Sequence, residues 1–443
     1  MEQEVEGALA PRRPGTAVCP HARALRKVCN MSSKTAQANE LGHIHPRHRG
    51  SVLARFLSRR LAGAVAGRLV VVLPSGERIE QYGTEPGPEA ELHIAHWGAL
   101  VRLMAGGYTG FARAYIAGEW FSPDVAIFFE WAACNTQHVD TAFGGTRLTQ
   151  FFDRLHHLRR ANTRSGSRRN ISAHYDIGNA FYALWLDEGM NYSSAIFAHP
   201  DQPLEEAQRA KIARAAELLD LKGGEHVLEI GCGWGAMAEH LISAHDCDVT
   251  GLTLSSEQRD FAVKRLYAAG AKERGQIRLQ DYRDENAQYD RIVSIEMFEA
   301  VGEAYWPLFF SRLSSCLKPG GVAVVQSISI AKSQFETYRR NPDFIQRYIF
   351  PGGMLPTIGI IRRHAAAAGL RLRSHETFGQ SYALTLAAWR ERFQQSWPRA
   401  MQLGFDERFK CMWEYYLAYC EAGFRSGLLD VGLYKIVHAG ETR

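Results

Sequence analysis

The feature that most limits what this chain can fold into is one short run, Val227-Leu228-Glu229-Ile230-Gly231-Cys232-Gly233-Trp234-Gly235. It is an apolar strand that enters a turn through alternate glycines and leaves it as a helix near Ala236. Glycine reaches backbone angles closed to other residues and lets a ligand approach the main chain, and the positive end of the following helix favours an anionic group. The spacing is not the GxGxxG of dinucleotide binders, and the next strand, Val249-Thr250-Gly251-Leu252-Thr253-Leu254, ends without an acidic residue, which disfavours a nicotinamide cofactor. The amino-acid end of S-adenosylmethionine fits instead. Its carboxylate suits the helix terminus around Gly231, Gly233 and Gly235, and its ammonium group suits Glu229. Gln258, in Thr253-Leu254-Ser255-Ser256-Glu257-Gln258, offers an amide to ribose hydroxyls, and Asp281 and Tyr282 follow the next strand, where adenine should lie. Cys232 reads as a small buried filler rather than a nucleophile, and Trp234 as core packing or a wall of the site.

Around this run the pattern alternates: helix 204–219, strand 226–230, helix 236–244, strand 248–252, helix 256–269, strand 277–279, strand 291–294, helix 307–316 and strand 322–328. Such alternation predicts an α/β, doubly wound, mostly parallel sheet that binds ligands outside the carboxyl ends of its strands. At 443 residues the chain has room for a second unit. Residues 51–140 read as a small α+β domain, with a helix over 52–66, a strand over 68–73 and a turn at Pro74-Ser75-Gly76. Glycines at Gly106-Gly107 and Gly118 separate its apolar segments. A basic linker, 141–170, should join it to a catalytic domain spanning 171–443, and the Pro- and Arg-rich stretch 1–50 is expected to be disordered.

A net charge of +5 excludes little by itself, but Arg154, Arg159, Arg160, Arg164, Arg168 and Arg169 cluster in the linker. This stretch reads either as a patch for an anionic surface or as a solvated connector. Without interleaved aromatics it does not favour nucleic acid. The eight cysteines show no paired ligand spacing, so no metal is expected, and the N-terminal segment lacks the apolar core of a secretory signal. No apolar run approaches the roughly 20 residues of a membrane-spanning helix. A cytoplasmic protein is expected, attached peripherally to the inner face of the membrane.

Further segments carry a family resemblance: His174-Tyr175-Asp176-Ile177-Gly178-Asn179, Tyr192-Ser193-Ser194-Ala195, Gln280-Asp281-Tyr282-Arg283-Asp284, Met297-Phe298-Glu299, Tyr348-Ile349-Phe350-Pro351-Gly352-Gly353 and Phe378-Gly379-Gln380-Ser381-Tyr382. Together with the glycine run, they make the chain resemble the cyclopropane-fatty-acyl-phospholipid synthases, relatives of the mycolic acid cyclopropane synthases, over 172–434. The resemblance implies a Rossmann-like class I methyltransferase domain and S-adenosylmethionine as cosubstrate. It also implies an unsaturated phospholipid acyl chain as acceptor, Tyr192 and Ser193 beside the donor, and an N-terminal unit that engages lipid. A homodimer is a further expectation.

In that family the base is usually a bound bicarbonate, held by a Cys, a Glu, a His, a backbone carbonyl and a Tyr. Glu299, the Ile328 carbonyl and Tyr382 match, whereas Ser194 stands where the Cys is expected, Gln326 where the His is expected, and Ala300 replaces a His that often follows the glutamate. Ser194 and Gln326 retain donors for an anion, but the imidazole is lost. Methyl transfer to the olefin is therefore expected, with Glu299, assisted or not by bicarbonate, disposing of the proton to give a ring or a branch. Tyr305, Trp306, Phe350 and Phe378 are candidates to steady a carbocation, with core packing the plain alternative for each. Cys420 matches a cysteine often assigned to the active site, although its aromatic helix suits a core role equally. Two rival readings remain open, a methyltransferase for amines or other small molecules and a lipid-binding homologue without catalysis.

Overall fold

The computed structural model describes residues 51–143, residue 166 and residues 177–440. The expected disordered extension and nearly all of the basic linker lie outside the described residues. The chain divides into two compact units, Met1–Phe151 with Met401–Ala422, and Phe152–Ala400 with Gly423–Arg443. Composition carries no sign that 401–422 groups with the first unit, apart from the rest of the expected 171–443 domain.

The first unit contains α1 (Val52–Leu61), β1 (Ala66–Val72), β2 (Arg78–Tyr82), β3 (Glu85–Ile94), α2 (Gly98–Ile116), β4 (Trp120–Phe121), α3 (Val125–Cys134) and α4 (Thr136–Phe143). Its sheet runs β2-β1-β3-β4, with β1 and β3 parallel and the outer pairs antiparallel. Helix α1 stops at Leu61, short of the expected Ala66, because Ala66 already pairs with Glu85 in the sheet. The core is aromatic. Trp120 stacks on Phe111 with ring centres 4.3 Å apart and donates its indole N–H to the Phe111 carbonyl at 2.8 Å. Phe129 meets Tyr415 and Tyr419, contributed by the 401–422 excursion, edge to face.

The second unit contains α5 (Asn179–Tyr182), α6 (Leu204–Leu218), β5 (His226–Ile230), α7 (Ala236–His245), β6 (Asp248–Thr253), α8 (Ser256–Ala268), β7 (Gly275–Leu279), β8 (Tyr289–Ile295), α9 (Phe298–Val301), α10 (Trp306–Cys316) and β9 (Leu317–Ile330). It continues through α11 (Lys332–Arg340), α12 (Ile358–Ala367), β10 (Leu370–Thr377), α13 (Gly379–Gln402), α14 (Glu407–Arg425) and β11 (Leu429–His438), the last two residues of α13 and most of α14 falling in the excursion. Its sheet has the order β10-β11-β9-β8-β5-β6-β7. Strands β5 to β9 are parallel, and β11 runs antiparallel between β9 and β10.

Alternation along the central strands sorts side chains between two faces. Leu228 and Ile230 of β5, with Ala323 and Val325 of β9, join Phe309, Phe310 and Ile361 on one side. Val227, Val322 and Val324 join Ile212, Leu241 and Leu266 on the other. Because both faces are covered, these strands read as continuous apolar runs. The order reverses at β5, with β6 on one side and β8 on the other, so the crevice beyond the ends of β5 and β8 is where a ligand belongs.

Candidate active site

Beyond β5 the chain turns through Gly231, Gly233 and Gly235, with φ of +82°, +51° and +85°, and the Gly231 and Cys232 amides close the turn on the Leu252 carbonyl at 3.0 and 2.9 Å. A Cβ on Gly231 would lie 3.0 Å from Met297, and one on Gly235 2.9 Å from Ala262, so packing demands both glycines. A Cβ on Gly233 would meet nothing within 4 Å, and this glycine faces an open cradle. Glu229 lies at the head of the turn. One carboxyl oxygen is sealed from solvent without a hydrogen-bond partner, and burial pushes the acid up to about 8 against the pull of Lys211. A cradle for a carboxylate beside a buried carboxyl with one unpartnered oxygen fits the two ends of the donor's amino acid.

The other residues expected at the donor lie at or just beyond the carboxyl ends of β6 and β7. The Thr253 hydroxyl donates to Gln258 Oε1 at 2.8 Å and accepts the Ser255 amide at 3.1 Å, while Ser255 Oγ caps α8 by accepting the Gln258 amide. Gln258 thus has its oxygen engaged, with Leu254 half-buried nearby in sequence. Asp281 is tied to Arg283 through bonds of 2.8 and 2.5 Å and is no free carboxylate. Tyr282 buries its hydroxyl without a partner and sets its ring against Phe309. Cys232 is a packing residue, its thiol raised by burial and then by Glu229, and Trp234 donates to Asn179 Oδ1 at 2.7 Å.

The loop 192–197 is strapped down from two sides. Gln208 and Lys211 of α6 donate to the Ser193 carbonyl and hydroxyl at 2.8 and 2.9 Å. Thr385 and Ser381 of α13 accept the amides of Ala195 and Phe197. Tyr192 sits in an aromatic cage, with ring centres 5.4 Å from Tyr182, 5.5 Å from Trp185, 5.4 Å from Trp389 and 6.5 Å from Phe350. Of the four aromatics expected to steady a cation, Phe350 alone appears in this cage. Tyr305 lies under the Arg283 guanidinium, and Trp306 and Phe378 pack in or against the two cores.

Ser194, Gln326 and Tyr382 are brought together, but on Glu296, a residue the sequence reading passed over. The Tyr382 hydroxyl donates to Glu296 Oε2 at 2.6 Å, and the Ser194 amide and the Gln326 side chain both donate to Oε1 at 2.8 Å. Ser194 acts through its backbone, its hydroxyl being turned to the Ala195 carbonyl. Glu296 closes β8 in the left-handed region at φ +49°, which costs a non-glycine residue about 1–2 kcal/mol. Burial raises its carboxyl, opposed first by Tyr382, then by Ser194, Gln326 and Lys211. Lys211 is itself pulled down by burial and supported by Glu296, Asp187 and Glu229.

Glu299 lies three residues on, in the first turn of α9. It accepts the Ile328 amide on one oxygen and leaves the other buried without a partner, and burial followed by the Glu296 charge pushes it up to about 8. Ile328 therefore meets Glu299 through its N–H, and its carbonyl accepts the Ser327 hydroxyl at 3.1 Å. Cys420 falls in the 401–422 excursion grouped with the first unit, half-buried on α14. Glu296 did carry a signal, an acidic residue closing an apolar strand at the reversal point. Gln208 and Lys211 carried only the weaker one of polar residues on the buried face of α6.

Residues 162–434 match the family model described as mycolic acid cyclopropane synthetase. The chain is 40% identical over 357 residues to tuberculostearic acid methyltransferase UfaA1 of Mycobacterium tuberculosis, covering 76% of this chain and 81% of that one. It is 35% identical over 353 residues to the cyclopropane-fatty-acyl-phospholipid synthase of Escherichia coli K12, covering 79% and 87%. Among solved structures, the cyclopropane synthase MmaA2 of M. tuberculosis aligns with a TM-score of 0.57 at 34% identity, over 61% of this chain and 97% of its own. Mycolic acid cyclopropane synthase CmaA1, solved with SAH and CTAB, aligns with the same score at 32% identity, over the same shares of the two chains. With the cradle, the crevice and these matches in agreement, the chain belongs to the cyclopropane synthase family of S-adenosylmethionine-dependent enzymes.

Proposed function

We propose that this enzyme transfers a one-carbon unit from S-adenosylmethionine to the double bond of an unsaturated phospholipid acyl chain, leaving a methylene branch or a cyclopropane ring. The observation that carries the reading is a buried carboxylate, Glu296, held by three donors at the reversal point of the sheet, beside a Tyr192 cage of aromatic rings. The bound donor would supply an electrophilic methyl group. Glu229 and the Gly233 cradle would hold its amino-acid end, Gln258 and Ser255 would face the ribose, and Tyr282 would border the adenine.

An olefin is a weak nucleophile, so its surroundings must keep water from competing. Tyr182, Trp185 and Trp389 are sealed in the interior behind Tyr192. Ring faces also steady positive charge, at about 2 kcal/mol or more once desolvated. Similarity to the tuberculostearic acid methyltransferase favours the branched product.

No helix of the described residues is long and apolar enough to cross a membrane. Access to lipid would be peripheral, through the first unit, where Trp97, Val101 and Met104 stand 41%, 67% and 43% exposed at helical spacing on α2 and the residue before it. Incubation of the protein with methyl-deuterated donor and vesicles of monounsaturated phospholipid tests the whole reading. Mass spectrometry should find one added carbon bearing two deuterons, and ozonolysis then separates a branch, which keeps a double bond, from a ring, which does not. A protein that binds the donor but leaves the lipid unchanged would refute the acyl-chain assignment in favour of a small-molecule acceptor.

A further inference from the structure

The residues that the family resemblance assigns to bicarbonate do not fit a free anion here. A bound bicarbonate would need donors of Ser194, Gln326 and Tyr382, but the Ser194 amide, the Gln326 side chain and the Tyr382 hydroxyl all end on Glu296 at 2.6–2.8 Å, and the Ser194 hydroxyl ends on the Ala195 carbonyl. The Ile328 carbonyl is taken by Ser327, and Ile328 turns its N–H to Glu299 instead. A second anion in this place would lie against the Glu296 carboxylate in a desolvated setting, where like charges disfavour one another strongly.

Resting on the acyl-chain reading above, we infer that Glu296 is a built-in substitute for bicarbonate: its side-chain carboxylate takes the proton released after methyl transfer, and the enzyme needs no dissociable base. A carboxylate has about four lone-pair positions. Two on Oε1 and one on Oε2 are filled by the fixed donors, which leaves one on Oε2 for a proton. The strained backbone at φ +49° is consistent with a residue held for chemistry rather than packing. Burial raises the carboxyl, and the three fixed donors, Tyr382 first, then Ser194 and Gln326, oppose that rise, with Lys211 adding a smaller pull in the same direction.

The step balances without a further reagent. The alkene π pair forms a C–C bond to the methyl carbon as the C–S bond breaks, S-adenosylhomocysteine leaves, and positive charge develops on the other alkene carbon. Glu296 then takes a proton from the transferred methyl. The C–H electron pair closes the three-membered ring, or, after a hydride moves from the methylated carbon to its neighbour, forms an exocyclic double bond. The resulting carboxylic acid returns its proton to solvent as product leaves.

Two variants and one direct binding measurement test the inference. Wild-type turnover should be the same in carbon-dioxide-stripped buffer as with added bicarbonate, and ¹³C-bicarbonate NMR should detect no binding to the wild type loaded with S-adenosylhomocysteine. Glu296→Gln should lose at least 100-fold in turnover while still binding the donor. Glu296→Gly, whose residue accepts φ +49° without strain, should bind ¹³C-bicarbonate and regain at least tenfold in turnover when it is added. Wild-type activity that falls on stripping, saturable bicarbonate binding by the wild type, or Glu296→Gln turnover within a few-fold of wild type would each overturn it. Should the wild type make no lipid product, the acyl-chain reading fails, while the NMR comparison still decides whether Glu296 excludes bicarbonate.

Discussion

Tyr382 and Glu296, 86 residues apart in the chain, are joined by a hydroxyl-to-carboxylate hydrogen bond of 2.6 Å that ties helix α13 to the end of strand β8. The ring of Tyr382 packs on Phe424 at 4.4 Å and meets Trp389 edge to face, so its position does not depend on the hydroxyl. Tyr382→Phe should therefore keep the fold and remove one donor from the carboxylate. A hydrogen bond to a charged group contributes about 1.5–3 kcal/mol, which corresponds to a fall in kcat of roughly 10- to 100-fold. Since this donor holds the Glu296 carboxyl down, its loss lets the carboxyl rise, and the ascending limb of the pH–rate profile should move to higher pH. A profile that falls in height without moving would mean that the hydroxyl does not bear on the base.

With Glu229 holding the donor's ammonium group, as proposed above, donor binding should have a pH dependence of definite sign. Its carboxyl stands at about 8 in the protein against an ordinary 4.5, and the donor's ammonium group requires the ionised form. Affinity for S-adenosylmethionine should rise by up to about tenfold per unit from pH 6 towards 8 and level off above. Calorimetry below pH 8 should show proton release on binding. Glu229→Gln should weaken binding roughly 10- to 100-fold at pH 8 and flatten the dependence. The same shift, with that of Glu299, acts on stability. A carboxyl raised in the fold stabilises it fully below the unfolded value near 4.5 and loses that contribution as pH rises through about 8. The donor-free protein should melt progressively lower across that interval, and bound donor should offset the part due to Glu229.

Most of the parallel sheet was legible in the sequence because a strand buried on both faces has a simple signature. Strands β5, β6 and β8 lie within a few residues of their expected bounds, and the glycine turn follows β5 where expected. Strand β9 proved longer, starting at Leu317, because a bulge lets Leu317 pair with Tyr289 before Val322 pairs regularly with β8. The catalytic end was less legible because its central contact is non-local. Glu299 and the anion-holding positions stand out in the sequence only one by one, because Ser194, Gln326 and Tyr382 come from three distant parts of the chain. They share a partner only once β9 and α13 are laid beside β8. The 401–422 excursion escaped notice for the same reason, since Tyr415 and Tyr419 find Phe129 through the fold rather than through spacing.

The first unit yields a test of membrane engagement separate from catalysis. Val101 and Met104 are largely solvated, so a charge at either position costs the fold little, whereas burying such a side chain in a bilayer is worth about 1.5–3 kcal/mol each. Val101→Glu with Met104→Glu should weaken binding to anionic phospholipid vesicles by at least tenfold in a flotation assay, with the melting temperature within a few degrees of wild type. Residual binding should fall with added salt, as attraction between basic residues and anionic headgroups is screened. Unchanged flotation of the double variant would place the lipid contact elsewhere.

Gly233 separates the needs of the fold from those of the donor. At Gly231 an added methyl would press on Met297 at 3.0 Å, so Gly231→Ala should cost stability and binding together. At Gly233 the same methyl would enter open space, and its only intrinsic penalty is the left-handed backbone at φ +51°, about 1–2 kcal/mol. That space is where the donor's amino-acid end would lie against the turn and the start of α7. Gly233→Ala should therefore lower the melting temperature by only a few degrees while weakening S-adenosylmethionine binding by 100-fold or more. Gly231→Ala should lower the melting temperature further. Donor affinity that survives Gly233→Ala within a few-fold would show that the open face of the turn does not hold the donor, and would move its amino-acid end away from Glu229 as well.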